Sequence, residues 1–189
     1  MIQKFIVILV ILYKVASVYG AENIAGESAK ILSQNNSSIS KNSNAISMLD
    51  LNKKRNAIIR VLSRNNSPLI NNIDSFMNTC QKQDLDCYLL PSITALESTY
   101  GKNVLTGSNN PFGWGGGRIV FENWNQAIET VGSGLKNNYI DKGAVSIEQI
   151  GAIYAESPTW AYRIRGFMYM FEQAEQEEDL MYSNYKLSL

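Results

Sequence analysis

Apolar and polar positions change their rhythm three times along the chain. Residues Phe5 to Tyr13 (FIVILVILY) are an unbroken apolar run. Residues 21–48 have no sustained apolar period and are dense in Ser and Asn, most of all from Ser33 to Asn44. Such a stretch buries too little to order itself and reads as a flexible linker. From Met48 a helical period sets in: Ile58 follows Leu51 by seven residues, and Val61 and Leu62 follow Ile58 by three and four. Asn65-Asn66-Ser67-Pro68 stops that helix, and Ser67 with Pro68 has the cap-then-proline form that starts another. The second helix carries Leu69, Ile73, Phe76 and Met77 and ends near Cys80. A third runs from Asp86 to about Tyr100, buries Leu89, Leu90, Ile93 and Leu96, and is ended by Gly101.

Residues 102–123 break the period. Gly107, Pro111, Gly113 and the Gly115-Gly116-Gly117 run exclude a long helix, and Arg118 to Phe121 is at most a short strand. Helical spacing resumes at Trp124 with Ala127, Ile128, Val131 and Leu135 in phase. Asp141-Lys142-Gly143 is a turn, Ser146 caps a short helix, and Ser157-Pro158 opens a last one carrying Trp160, Ile164, Phe167, Met168 and Phe171. The acidic stretch Glu172 to Asp179 reads as its solvated end. The pattern predicts a mainly α single domain over residues 49–180, with one short Gly-rich loop or β-hairpin excursion and a frayed tail at 181–189.

The apolar run at the start belongs to a different function. Lys4 precedes it, Lys14 interrupts it, and Val18 and Gly20 are small residues at the −3 and −1 positions of a cleavage site after Gly20. This is the layout of a secretory signal peptide over residues 1–20. The rival reading is an uncleaved anchor, but nine apolar residues fall short of the ~20 that span a bilayer. The expected location is secreted or periplasmic, at the cell envelope, with no stable membrane insertion after cleavage. Export also changes how Cys80 and Cys87 read. They close a six-residue loop between two helices, either as a disulfide or as two buried thiols.

Composition narrows the chemistry. The chain has 17 Lys+Arg, 17 Asp+Glu and no His. Without His there is no Ser-His or Cys-His nucleophile and no His-ligated zinc. Two Cys are too few for a Cys₄ zinc site or an iron–sulfur cluster, so no metal and no cofactor are expected. Loss of Lys4 and Lys14 with the leader leaves 15 basic against 17 acidic groups, a balance that argues against a nucleic-acid partner. Acid–base work then falls to carboxylates, helped by Tyr or Lys.

Glu97 is the carboxylate out of place. It stands near the C-terminal end of an otherwise apolar helix, where the dipole disfavours a negative charge. It shares a side with Ile93, four residues earlier, which implies partial shielding. A carboxyl disfavoured as an anion is suited to donate a proton; the plain alternative is a surface Glu beside a turn. The second oddity is Asn109-Asn110-Pro111-Phe112-Gly113-Trp114 followed by three Gly. Its amides and rings are the set that binds sugars, rings on the apolar sugar face and amides on hydroxyl and acetamido groups. No Gly-Lys-Ser/Thr follows, which excludes a P-loop. Equally, this is a tight turn with Phe112 and Trp114 tucked into the core.

Leu89 to Lys102 (LLPSITALESTYGK) resembles the glutamate motif of the glucosaminidase-type, lysozyme-like peptidoglycan hydrolases. Ser108-Asn109-Asn110-Pro111-Phe112-Gly113-Trp114 is similar to their SNN-x-FG loop, and Phe121, Trp124, Ala127 and Ile128 to the segment after it. Ile153 to Ala161 (IYAESPTWA) resembles their YA-x-x-P-x-(Y/W)-A motif, and Asn66-Ser67-Pro68-Leu69 the domain start of secreted bacterial members. The resemblance covers residues 65–172 with its motifs in order. It implies a lysozyme-like fold that cleaves the β-1,4 glycan of peptidoglycan, with glycan strands as the partner and a monomer as the acting form. It carries Glu97 over as general acid and Tyr154 as the active-site tyrosine. Asn110, Phe112, Gly113 and Trp114 would help line the sugar cleft. Trp160, which begins the apolar stripe of the last helix, reads as core.

A hydrolase commonly sets two carboxylates across its cleft. Larger members of that family draw the second from a β-hairpin lobe, and here only residues 117–123 stand in its place. Glu122 is the nearest candidate, ahead of Glu156; Glu129 lies on the next helix. With a single acid, water can attack without a dedicated base, or the sugar's own acetamido or 6-hydroxyl can act as nucleophile; attack by the 6-hydroxyl would make a lytic transglycosylase. A third reading is a non-catalytic glycan-binding or wall-assembly protein on the same fold.

Overall fold

The computed structural model describes residues 45–187. The expected signal peptide at 1–20 and the linker as far as residue 44 lie outside the described residues. The chain divides between Leu49 and Asp50, and the body described below is the unit from Asp50 onward. It is mainly α, as its periodicity predicts. Among the described residues there are six α-helices: α1 (residues 45–64, in this unit from Asp50), α2 (Ile73–Gln83), α3 (Leu89–Ser98), α4 (Trp124–Asn138), α5 (Ile147–Tyr154) and α6 (Trp160–Leu187). The expected tail at 181–189 is helical as far as Leu187. Residues 45–48, expected in the linker, are the first turn of α1. No helix among the described residues is long and apolar enough to cross a membrane.

Local chemistry accounts for most of the boundaries. Ser67 Oγ accepts the Leu69 N–H at 3.1 Å, but Pro68–Asn72 form a 3₁₀ turn, so α2 starts only at Ile73. Asn123 caps α4 by accepting the Gln126 N–H at 3.0 Å. Ser146 and Gln149 cap α5 reciprocally, a capping box that satisfies two otherwise orphaned N–H groups. The start of α6 departs from expectation: residues 155–159 are irregular, and the helix begins at Trp160 rather than at Pro158.

The third helix is the axis of the body. Leu89, Leu90, Pro91, Ser92, Ile93, Thr94, Ala95 and Ser98 are all buried within its ten residues. Against it lies α6, which contributes Trp160, Ile164, Phe171 and Ala174 to the core. α2 packs against α4 on another side, and α5 packs on α6. α1 is tied to the later part of α6 by ion pairs of Arg64 and Arg60 with Glu177, at 2.8 and 3.7 Å. A disulfide joins Cys80 in α2 to Cys87 just before α3, with their Cα atoms 4.9 Å apart. The bridge fixes the corner at which the chain turns into the central helix, the disulfide alternative of the two that the sequence leaves open.

Residues 99–123 contain no strand, so the loop form of the excursion is realised and the hairpin form is not. The segment is pinned at both ends. Phe121 N–H donates to Ser108 O at 2.8 Å, and Asn109 Nδ2 donates to Phe121 O at 2.9 Å. Where α3 ends, the Ser98 hydroxyl donates to Pro111 O at 2.7 Å and accepts the Gly101 N–H at 3.0 Å. The excursion is thereby drawn back onto the last turn of α3, which carries Glu97.

Candidate active site

Four pieces of backbone meet at the C-terminal end of α3. The last turn of the helix presents Glu97, the loop presents Gly113 to Gly116, and the α4 and α5 ends present Tyr139 and Tyr154 with Ala155. Together they line an open cleft of about 420 Å³. Among the residues lining it, Glu97 is the one carboxylate.

Glu97 is exposed, not partly shielded as its place on the Ile93 side implies. The next residue, Ser98, is buried, so the last turn of α3 stays on the core and only its Glu97 face opens into the cleft. Both oxygens are nonetheless located. Oε1 accepts the indole N–H of Trp160 at 2.9 Å. Oε2 lies against Gly113: a methyl group built on that residue would stand 3.3 Å from it. Gly113 has a φ of +63°, a left-handed conformation that side-chain-bearing residues rarely adopt. The turn therefore favours glycine, and a side chain here would also press on the carboxylate.

The aromatic groups form one wall. The Trp114 ring centroid lies 5.7 Å from that of Tyr154 and 6.1 Å from that of Tyr139. Trp114 is seated on α4 at Gly134, where a Cβ would come within 2.7 Å of its ring. Tyr154 stacks on Trp160 with centroids 4.9 Å apart and planes 27° apart. The Tyr154 hydroxyl donates to Phe112 O at 2.8 Å, tying α5 to the loop. Burial, then the negative charge of Glu97, then Tyr139 hold that hydroxyl well above its ordinary range. Burial also raises Tyr139. Both phenols are therefore neutral donors at neutral pH, not bases.

The remaining sequence candidates fall behind the cleft or away from it. Phe112 is fully buried, so its ring belongs to the core and only its carbonyl serves the site. Asn110 is 5% exposed and fully engaged: its Nδ2 donates to Trp114 O at 2.9 Å and Ile119 O at 3.0 Å, and its Oδ1 accepts the Trp114 N–H at 3.0 Å. Asn109 donates to the carbonyls of Phe121 and Glu122. The Asn110 amide is therefore not left for a sugar, and the Nδ2 of Asn109 is taken by the loop. Both brace the loop that presents Gly113 and Trp114, because a segment with no regular ladder must satisfy its buried carbonyls through side chains. Glu122 is exposed at the start of α4, outside the lining of the cleft, with its N–H bonded to Gln126 Oε1. Glu156 lines a neighbouring groove of about 330 Å³ that shares Ala155 with the cleft.

Two members of the site escape the sequence reading. Tyr139 shows there only as the end of a helix. Trp160 is read as core, and it is 3% exposed, but a buried indole N–H needs an acceptor. That requirement was the available signal.

No protein-family model matches this chain, and no curated protein matches it.

Proposed function

We propose that this chain is an exported glycosidase that cuts the β-1,4 glycan backbone of peptidoglycan, in the manner of an endo-β-N-acetylglucosaminidase. Glu97 is its general acid. One observation carries the reading: a single carboxylate at the mouth of an open cleft, held through one oxygen by Trp160, faces a wall made by Trp114, Tyr139 and Tyr154. Aromatic planes beside a lone acid suit a sugar ring placed with its glycosidic oxygen at the carboxyl.

In the chemistry this arrangement supports, Glu97 gives its proton to the leaving glycosidic oxygen as the bond to C1 breaks. Charge develops on the sugar as an oxocarbenium-like ion, and the carboxylate left behind lies close enough to stabilise it. Trp114 and Tyr139 hold the ring, while Tyr154 holds Phe112 O and hence the loop. The signal-like leader and the Cys80–Cys87 bridge suit an oxidising, extracytoplasmic setting.

The acid has no carboxylate partner among the residues that line the cleft with it. That favours a second reading, a lytic transglycosylase, in which the sugar's own 6-hydroxyl attacks C1 and closes a 1,6-anhydro ring. The acetamido group of the substrate is the other internal nucleophile. Digestion of purified peptidoglycan, with mass spectra of the fragments, separates these. New reducing N-acetylglucosamine ends support the glucosaminidase, and anhydro ends the transglycosylase. No new ends at all would leave a glycan-binding or wall-assembly protein and overturn the proposal.

A further inference from the structure

Glu97 and Trp160 are 63 residues apart in sequence, yet the indole Nε1 and Glu97 Oε1 lie at 2.9 Å. The indole has little freedom to be elsewhere. It is 3% exposed and stacks on Tyr154 at 4.9 Å. Its six-membered ring lies over Gly151 of α5, where an added Cβ would come within 2.9 Å of Trp160 Cε3. Tyr154 is in turn tied to Phe112 O. The donor is thus fixed by packing and not by the carboxylate it serves.

The two oxygens of Glu97 consequently differ. An N–H donor is accepted by the carbonyl-like oxygen of a protonated carboxyl, and the proton then sits on the other. We propose that Trp160 is the positioning residue of the acid: its indole N–H claims Oε1 and leaves Oε2, beside Gly113, to carry the proton into the cleft. This rests on the reading of Glu97 as general acid. During the reaction the proton passes from Oε2 to the glycosidic oxygen as the C1–O bond breaks. Oε1 keeps the indole hydrogen bond throughout, so the carboxylate does not rotate away. The proton is recovered at Oε2 from the water or sugar hydroxyl that adds to C1.

Tyr154 and Tyr139 are the titratable groups that face Glu97 from the neighbouring elements, and both stay neutral in the same range. Glu148 and Glu156 line the groove at Gly151, on which the indole packs, so the part of an acid-range change in the indole signal that Glu97→Gln abolishes is the part that reports on Glu97.

Two measurements test the proposal. The first needs no turnover: the ¹H–¹⁵N resonance of the Trp160 indole is followed with pH in the wild-type protein and in Glu97→Gln. The resonance is expected to move with carboxylate protonation in the first and to stay flat in the second. The second replaces Trp160 by β-(3-benzothienyl)alanine, which keeps the ring shape but has sulfur where the N–H was. A hydrogen bond to a charged group supports a fall in kcat of about 10-fold or more, with KM and Tm near wild type. Trp160→Phe should show the same split with a lower Tm, since it also loses packing. An indole resonance identical in wild type and Glu97→Gln, or an isostere with wild-type kcat, overturns the proposal. If the wild-type protein cuts no glycan, the functional reading fails instead, and the indole resonance still decides whether Trp160 holds Glu97.

Discussion

Gly113 is where backbone, carboxylate and cleft constrain one another most tightly. Its φ of +63° disfavours any side chain, and the space its Cβ would need ends 3.3 Å from Glu97 Oε2. Gly113→Ala is expected to cost about 1 kcal/mol of stability from the backbone alone. It should lower glycan turnover by more than that loss of folded protein explains, because the methyl crowds the reacting oxygen. Thermal melts and turnover on the same samples separate the two effects. Legibility at this scale was uneven. Glu97 stood out because a carboxylate interrupts an apolar helix near its C-terminus. The roles of Asn109 and Asn110 did not, because an amide offers the same donors and acceptor to a sugar as to its own loop. Only the path of the chain decides that Trp114 O and Ile119 O claim Asn110 first.

Among the elements, the α2–α3 corner and the α5–α6 pair each have a specific tie. The Cys80–Cys87 bridge closes a short loop, so the chain-entropy contribution is modest, about 2 kcal/mol. Replacing both cysteines by alanine should lower Tm, and reduction of the wild type should bring its Tm down to a similar value. The α5–α6 tie is the bidentate pair of Arg165 with Glu148, at 2.5 and 2.7 Å. The guanidinium, followed by a backbone hydrogen bond, lowers the Glu148 carboxyl from 4.5 to about 2. A carboxyl depressed in the folded state contributes stability above its unfolded value and loses it as the folded value is passed. The Tm advantage of wild type over Glu148→Gln should therefore be full above pH 4.5 and fade as the pH falls towards 2. Both side chains are exposed, so high salt should shrink the advantage as well. Element starts at Asn123 and Ser146 follow from local capping and were close to readable. The start of α6 was not: Ser157-Pro158 has the form of a helix start, but the chain first turns so that Trp160 can reach between Tyr154 and Glu97.

For the molecule as a whole, the body from Asp50 onward is organised to put one end of α3 in contact with solvent. Eight of the ten residues of that helix are buried, and of the other two Leu96 is half-buried and Glu97 is exposed. Helical class and core positions follow from periodicity, since Phe76, Leu90, Ile93, Ile128 and Phe171 all fall on predicted stripes and are fully buried. The cleft wall does not, because Trp114, Tyr139 and Tyr154 come from three separate segments and no local rhythm links them. With no histidine in the chain, the proposed reaction rests on a carboxylate and the proposed recognition on aromatic rings. The central claim is that Glu97 supplies the proton that breaks the glycan. It is tested most directly by comparing release of soluble fragments from purified peptidoglycan by the wild-type protein and by Glu97→Gln, at matched folded concentrations. Glu97 is exposed and Gln is its isostere, so Tm should be nearly unchanged while release falls by about 10²- to 10⁴-fold, the contribution of a general acid. Release by Glu97→Gln at the wild-type rate would contradict the claim.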